Sequence, residues 1–491
     1  MPSLTLLGLG PGNPQHLTRE AWQALTQADE IYVRTAKHPT VAALPPGVTV
    51  HAFDHLYQQA DTFAAVYEGI VTEVLTLARR PQGVLYAVPG HPFVAEITGQ
   101  TLARRAREEG IPLRVIEGLS FLEPTWRALG RDPLPHTALV DALTLAVGHV
   151  PPFPPAAPAL IAQLYDRTIA SEVKLTLMAV YPDEHRVALV HAAGTPDETV
   201  RWIPLFEIDR DPEIGLLTTL YVPALSPDAS FEAFQEVVAR LRAPDGCPWD
   251  RKQTHRTLRR YLLEETYEVL EAIDGAQWDA LAEELGDLLL QILLHAQIAA
   301  EAGEFTMTQV LQRIHRKMVR RHPHVFGEVE VADADEVVRN WEAIKAQEKG
   351  HQPQPSVLAN ITRGLPALME AQEIQKKVVK VGFDWPDIQG VWEKLAEELE
   401  EVRQAQTPAA REAEIGDVLF VLVNLARWLG VDAELALRST NDRFRRRFAA
   451  IEAAARAKNK PVQALTPDEM DAAWRQAKAE EKAAQADQIE P

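Results

Sequence analysis

The spacing of hydrophobic positions changes near the middle of the chain. Before residue 222, short apolar runs break at glycine and proline. "SLTLLGLGPGNPQHLT" (3–18), "GVLYAVPGHPFVAEITGQTLARRA" (83–106) and "LRVIEGLSFLEP" (113–124) each pass from an apolar strand into a tight loop, the second continuing into a helix. Strand, glycine loop and helix in series predict an α/β unit with a mostly parallel sheet. Ligands of such sheets bind beyond the carboxyl ends of the strands. Farther on, residues 261–296 predict two amphipathic helices joined at Asp274-Gly275.

A helical wheel, at about 100° per residue, separates two kinds of acid on these helices. Leu262, Leu263, Val269, Leu270 and Ile273 share one face, with Glu264 and Glu271 opposite. Glu265 lies about 40° from Val269, at the edge of the apolar face, and Glu268 one step further. On the second helix Leu281, Leu288 and Ile292 form the stripe, with Glu284 and Asp287 beside it. Antiparallel packing across the turn brings these four acids together. Converged anions beside a core repel one another and lose hydration, so they call for a cation. An all-oxygen set suits Mg²⁺ or Mn²⁺.

A single acidic pair on a helix in a chain with 70 Asp and Glu is ordinarily a solvated face. Here the pattern occurs twice. Glu397, Glu398 and Glu401 match Glu264, Glu265 and Glu268, and Glu414-Ile-Gly-Asp417 matches Glu284-Leu-Gly-Asp287. Downstream, "RIHRKMVRR" aligns with "RSTNDRFRRRF", and Trp341-x-x-x-Lys345 with Trp474-x-x-x-Lys478. Repetition with order and spacing kept marks two copies of one helical unit.

The block "GCPWDRKQTHRTLRRYLLEETYEVLEAID" (246–274), with EExxE followed by ExxD, resembles the MazG family of nucleoside triphosphate pyrophosphohydrolases, as does the tandem arrangement. The resemblance covers residues 245–482. It implies an all-α, usually dimeric fold that binds Mg²⁺ and cleaves NTP to NMP and pyrophosphate. The metal ligands would be Glu265, Glu268, Glu284 and Asp287 in one copy and Glu398, Glu401, Glu414 and Asp417 in the other. The second set is the expected catalytic one. Carboxylate-held metal can polarise the phosphorus, neutralise the triphosphate and deprotonate water. Basic residues must hold the remaining phosphates. Lys376, Lys377, Lys380, Arg443, Arg446 and Arg447 flank the second copy, and Lys317, Arg320 and Arg321 follow the first. Asn441 is read as a contact to base or sugar, or as an N-cap, and Trp474 as a further substrate contact. The flanking bases of the second copy predict that it dominates. Trp249, Phe383 and Trp385 are aromatic candidates for stacking, though core positions are the commoner fate.

The first part carries GLGPG-x₄-LT, PGHP and IEGLSF, and this combination resembles the tetrapyrrole (corrin/porphyrin) methylases. No GKS or GKT follows the glycine loop, so it is not a P-loop, and proline interrupts any dinucleotide fingerprint. The resemblance covers residues 4–221 and implies a two-lobed, class III methylase-like fold binding S-adenosylmethionine. Its contacts would be Pro11, Gly90, His91, Val94, Ser120, Phe121 and Gln163, and "ALIAQLYD" and "HRVALVHAAGTPDETV" would be strands of the second lobe. Many family members have Asp where this chain has His91, which favours cofactor binding over tetrapyrrole methylation.

The expected layout is multidomain: an α/β methylase-like domain over 1–222, then all-α MazG helical bundles over 223–350 and 351–491. Net charge is −20, with a pI near 5.3. That argues against general nucleic-acid binding. The single cysteine, Cys247, excludes a disulfide framework and suits a reducing cytoplasm. No apolar run approaches 18 residues, so no membrane span is expected. Two further readings stay open: an S-adenosylmethionine-dependent methyltransferase whose helical repeats serve dimerisation or nucleotide sensing, and a non-enzymatic nucleotide sensor or scaffold.

Overall fold

The computed structural model describes residues 1–59, 62–348, 356–359, 361–362 and 364–487. Two compact units divide the chain, Met1–Gln253 and Thr254–Pro491. The expected boundary at 350/351 lies outside the described residues.

The first unit holds two five-stranded sheets. One is wholly parallel, in the order β3 (Thr49–Ala52), β2 (Glu30–Val33), β4 (Val84–Val88), β1 (Leu4–Gly8), β5 (Leu113–Ile116). A parallel sheet is covered on both faces, so its central strands are apolar almost throughout. Leu4, Leu6 and Leu7 of β1 and Tyr86 of β4 are fully buried. The second sheet runs β6 (Ala138–Asp141), β7 (Ala159–Ala162), β10 (Thr218–Val222), β8 (Arg186–His191), β9 (Thr199–Pro204), antiparallel except between β6 and β7. It has its own core, centred on Ile161, Val173, Leu177 and Leu220.

Short polar caps start the helices of this unit where the sequence changes from loop to helix. Thr18 accepts from the Ala21 N–H before Arg19–Gln27, and Asp166 accepts from Ile169 before Arg167–Met178. Such caps satisfy amides that a helix leaves orphaned at its first turn.

The second unit is helical. Helices Arg259–Asp274 and Trp278–Glu301 pack against each other, and so do Ile388–Gln404 and Pro408–Trp428. The first hairpin turns where the sequence predicts, but the left-handed residue is Ala276 (φ 49°). Gly275 itself stays right-handed at φ −82°. In the second hairpin, Asp387 caps the entering helix through Gln389 and Gly390, and Thr407 with Pro408 opens the returning one. Helix Met307–Arg321 ends two residues before Pro323, as a ring without an N–H requires.

Candidate active sites

Each helical hairpin brings three acids together. Glu265, Glu268 and Glu284 form one group and Glu398, Glu401 and Glu414 the other. Within each, one carboxylate oxygen per residue lies within 4.8 Å of the others. One helix supplies an i, i+3 pair, which shares a face, and the partner helix supplies the third acid. Asp287 and Asp417, the expected fourth members, are exposed and stand outside the tight trios. Asp287 still acts electrostatically on Glu265 and Glu284.

The trios differ in electrostatics. Desolvation, then a hydrogen bond with Glu268, pushes the Glu265 carboxyl up to about 7. Glu284 is raised by desolvation and by Glu268 and Asp287. Among the described residues, no cation pairs with this trio. In the second, Lys394 Nζ lies 2.8 Å from Glu398 Oε1 and 2.9 Å from Glu397. Those two hydrogen bonds hold the Lys394 ammonium well above its ordinary pKa. Glu401 is raised by desolvation and then by Glu398. Glu398 is 5% exposed, and its Oε2 is buried without a hydrogen-bond partner. A buried carboxylate oxygen left unpaired is expensive, and a hard cation held by oxygen ligands fits that position.

In the first unit, three loops meet at the ends of β1, β4 and β5. A Cβ on Gly8 would lie 2.5 Å from the Gly90 carbonyl oxygen and 2.6 Å from the Gly118 nitrogen, so only glycine allows the approach. Gly10 and Gly90 exchange backbone hydrogen bonds of 3.2 and 2.8 Å, and both adopt positive φ. A cavity opens beside them, lined by Pro11, Gly90, Val94, Phe121 and Gln163 among others. Five of the seven expected cofactor contacts therefore share one cavity. Ser120 is buried, its hydroxyl donating to Glu123 at 2.7 Å. His91 accepts from the Phe93 amide at 3.1 Å.

Comparison with known proteins follows the same division. Residues 3–209 match the tetrapyrrole (corrin/porphyrin) methylases, and residues 253–326 match the MazG nucleotide pyrophosphohydrolase domain. YabN of Bacillus subtilis, an uncharacterized protein, is 44% identical over 98% of this chain and 99% of its own length. The chain belongs to the family that joins a tetrapyrrole methylase domain to a MazG domain. The nucleoside triphosphate pyrophosphohydrolase/pyrophosphatase MazG of Thermotoga maritima is 45% identical over 50% of this chain and 95% of its own. The nucleoside triphosphate pyrophosphohydrolase of Escherichia coli K12 has the same identity and coverage. Both align with the MazG half.

The bases expected to hold phosphate in the MazG half are largely engaged elsewhere. Arg447 pairs with Glu481 at 2.8 Å and lies 5.5 Å over the Trp474 ring. Arg446 approaches the same acid at 3.7 Å. Trp474 packs with Ile451, Leu465 and Met470. The first copy repeats this clip: Arg321 pairs with Glu348 at 2.5 Å and lies 5.0 Å over Trp341. Lys376 pairs with Glu373 and Lys380 with Glu342. Arg443 donates to Thr440, and among the described residues no acid pairs with it or with Lys377. Asn441 is exposed within helix Ala433–Ala457 and is not its N-cap, a role taken by Asp432. Trp249, Phe383 and Trp385 are exposed, not core. Lys394 was not singled out from the sequence, although its place four residues before Glu398 puts it on the same helix face.

Proposed function

We propose that the MazG half hydrolyses nucleoside triphosphates to nucleoside monophosphate and pyrophosphate at its carboxylate sites, with the second trio dominant. The single observation carrying this reading is the buried, unpartnered Oε2 of Glu398 at the meeting point of Glu401 and Glu414. The names of the Thermotoga and Escherichia relatives support the reaction. A bound Mg²⁺ or Mn²⁺ supplies charge neutralisation and an acidified water. Glu398, Glu401 and Glu414 would hold it. Lys394 fixes Glu398 and offsets part of the trio's charge, while Arg443 and Lys377 remain for phosphate. Most flanking bases are engaged in both copies, so they do not separate the two. The burial of Glu398 and the presence of Lys394 do.

The methylase half is read as a binder of S-adenosylmethionine, whose sulfonium supplies an electrophilic methyl group when bound. The glycine cradle at Gly8, Gly90 and Gly118 and the adjoining cavity support this.

A homodimer through the MazG half is supported by apolar side chains exposed at matching positions of the two copies. Leu285 matches Ile415, and Ile292 matches Leu422. A cytoplasmic setting rests on the single cysteine. Among the described residues, no helix is long and apolar enough to cross a membrane.

Pyrophosphate and nucleoside monophosphate are measured for each common NTP, in Mg²⁺ and in EDTA. Equimolar products in Mg²⁺ and none in EDTA are expected. Orthophosphate and diphosphate products would refute cleavage between the α and β phosphorus atoms.

A further inference from the structure

Past Gly90 the wall of the cavity beside the glycine loops continues to Arg34, His38, Glu96 and Tyr165. Among the described residues, five non-glycine residues have positive φ, and three of them line this one cavity: Ala95 (53°), Gln163 (66°) and Ala192 (46°). The Gln163 amide donates to the Ala95 carbonyl at 3.1 Å, tying two of them together. Such backbone conformations persist where surrounding structure enforces them, and they gather at ligand sites.

The wall is electrically closed. Among the described residues that line it, Arg34 is the one cation, and its Nη1 lies 2.8 Å from Oε2 of the one anion, Glu96. The other Glu96 oxygen is taken by the Thr98 amide and hydroxyl, and Thr98 in turn bonds to the Tyr86 hydroxyl. His38, 7% exposed, has an Nδ1 with no hydrogen-bond partner. Burial, then Arg34, pushes its imidazole down to about 4, so it is neutral. The wall therefore has no spare positive charge for a carboxylate.

Tyr165 lines this end of the cavity and is the outer member of an aromatic cluster. Phe63 reaches Tyr165 at 6.4 Å and stacks on Tyr67 at 6.2 Å, and Tyr57 meets Tyr67 edge-on at 6.5 Å. All three tyrosines lie within the field of Arg34, and burial pushes Tyr57 up to about 12, so its hydroxyl keeps its proton. Among the described residues, none hydrogen-bonds the Tyr57, Tyr67 or Tyr165 hydroxyls.

We propose that the Arg34–Glu96 end of this cavity, lined by Tyr165 and backed by the adjoining Tyr67 and Tyr57, is a binding subsite for an uncharged planar heteroaromatic molecule, and that it rejects polycarboxylate macrocycles. Ring faces supply apolar contact, and the phenol hydroxyls donate to a carbonyl or ring nitrogen. A polycarboxylate would bring several anions to a wall whose single cation is already neutralised. The proposal rests on the cofactor reading only for the role of the neighbouring loops.

The test uses the full chain and two probes, 4-quinolone and coproporphyrin. Ligand-observed NMR measures each in the presence and absence of S-adenosylhomocysteine, whose own binding is followed by calorimetry. Quinolone is expected to bind at least tenfold more tightly than coproporphyrin. Tyr165→Ala should weaken quinolone at least tenfold. Tyr67→Phe, which removes one hydroxyl and keeps the ring, should weaken it about threefold and leave S-adenosylhomocysteine affinity unchanged. Tighter binding of coproporphyrin, no binding of quinolone, or quinolone affinity indifferent to both variants overturns the proposal. Failure of S-adenosylhomocysteine alone to bind overturns the cofactor reading and leaves the quinolone result to decide this one.

Discussion

Lys394 Nζ lies 2.8 Å from Glu398 Oε1, so the second acid trio carries an internal cation. At the matching position of the first copy stands Tyr261. One consequence concerns stability without metal. Removing the lysine leaves the buried Glu398 carboxylate without its compensating charge. Lys394→Met is therefore expected to lower the melting temperature in EDTA, and saturating Mg²⁺ to restore part of the loss. Equal losses in EDTA and Mg²⁺ would show that nothing replaces the lysine's charge.

The first trio predicts a pH dependence. The folded chain keeps a proton on Glu265 up to about pH 7, because desolvation and Glu268 raise its carboxyl. The unfolded chain releases that proton near the ordinary glutamate value of about 4.3. Between the two values the folded state binds more protons, so stability falls as pH rises. Thermal melting in EDTA should decline across this window, and Glu265→Gln should flatten the slope. A melting temperature that rises across the window, or an unchanged slope in the variant, contradicts the assignment.

The glycine junction in the methylase half predicts a steric effect. A methyl on Gly8 meets backbone atoms of Gly90 and Gly118, which cannot turn away as a side chain can. Overpacking of this kind costs typically about 1–3 kcal/mol. Gly8→Ala should lower S-adenosylmethionine affinity by at least about tenfold, even at a temperature where circular dichroism reports a folded chain. Wild-type affinity in the folded variant would rule out the cradle.

The apolar residues at matching positions predict self-association. Leu422→Glu places a charge on the exposed face of helix Pro408–Trp428 and should shift the light-scattering mass from dimer to monomer. A variant with unchanged mass would exclude that face as the interface.

Much of this was legible in the sequence, because two periods announce themselves. Glycine loops after apolar runs locate β1, β4 and β5, and the repeated acids locate both hairpins. The i, i+3 acid pairs follow directly from helix geometry, so Glu265 with Glu268 and Glu398 with Glu401 needed no coordinates. The fourth acids were less legible, since a wheel gives direction and not reach: Asp287 and Asp417 lie on the right side but outside the trios. Arg447 and Trp474 aligned across the repeat because they build a shared clip with Glu481, and alignment cannot distinguish a clip from a binding site. The Arg34–Glu96 pair spans 62 residues and depends on how β2 and the loop after β4 are juxtaposed. No local period encodes it.

The two copies can be separated by one pair of substitutions. Glu268→Gln and Glu401→Gln remove matching acids of the two trios, and pyrophosphate release from NTP is measured for both in the full chain at saturating Mg²⁺. Outer partners of metal ligands alone are worth about 10–100-fold in activity. Glu401→Gln is expected to lower turnover at least about 100-fold, with Glu268→Gln lowering it less than about tenfold. A larger loss from Glu268→Gln, or near wild-type turnover in both variants, would contradict the placement of the chemistry at Glu398, Glu401 and Glu414.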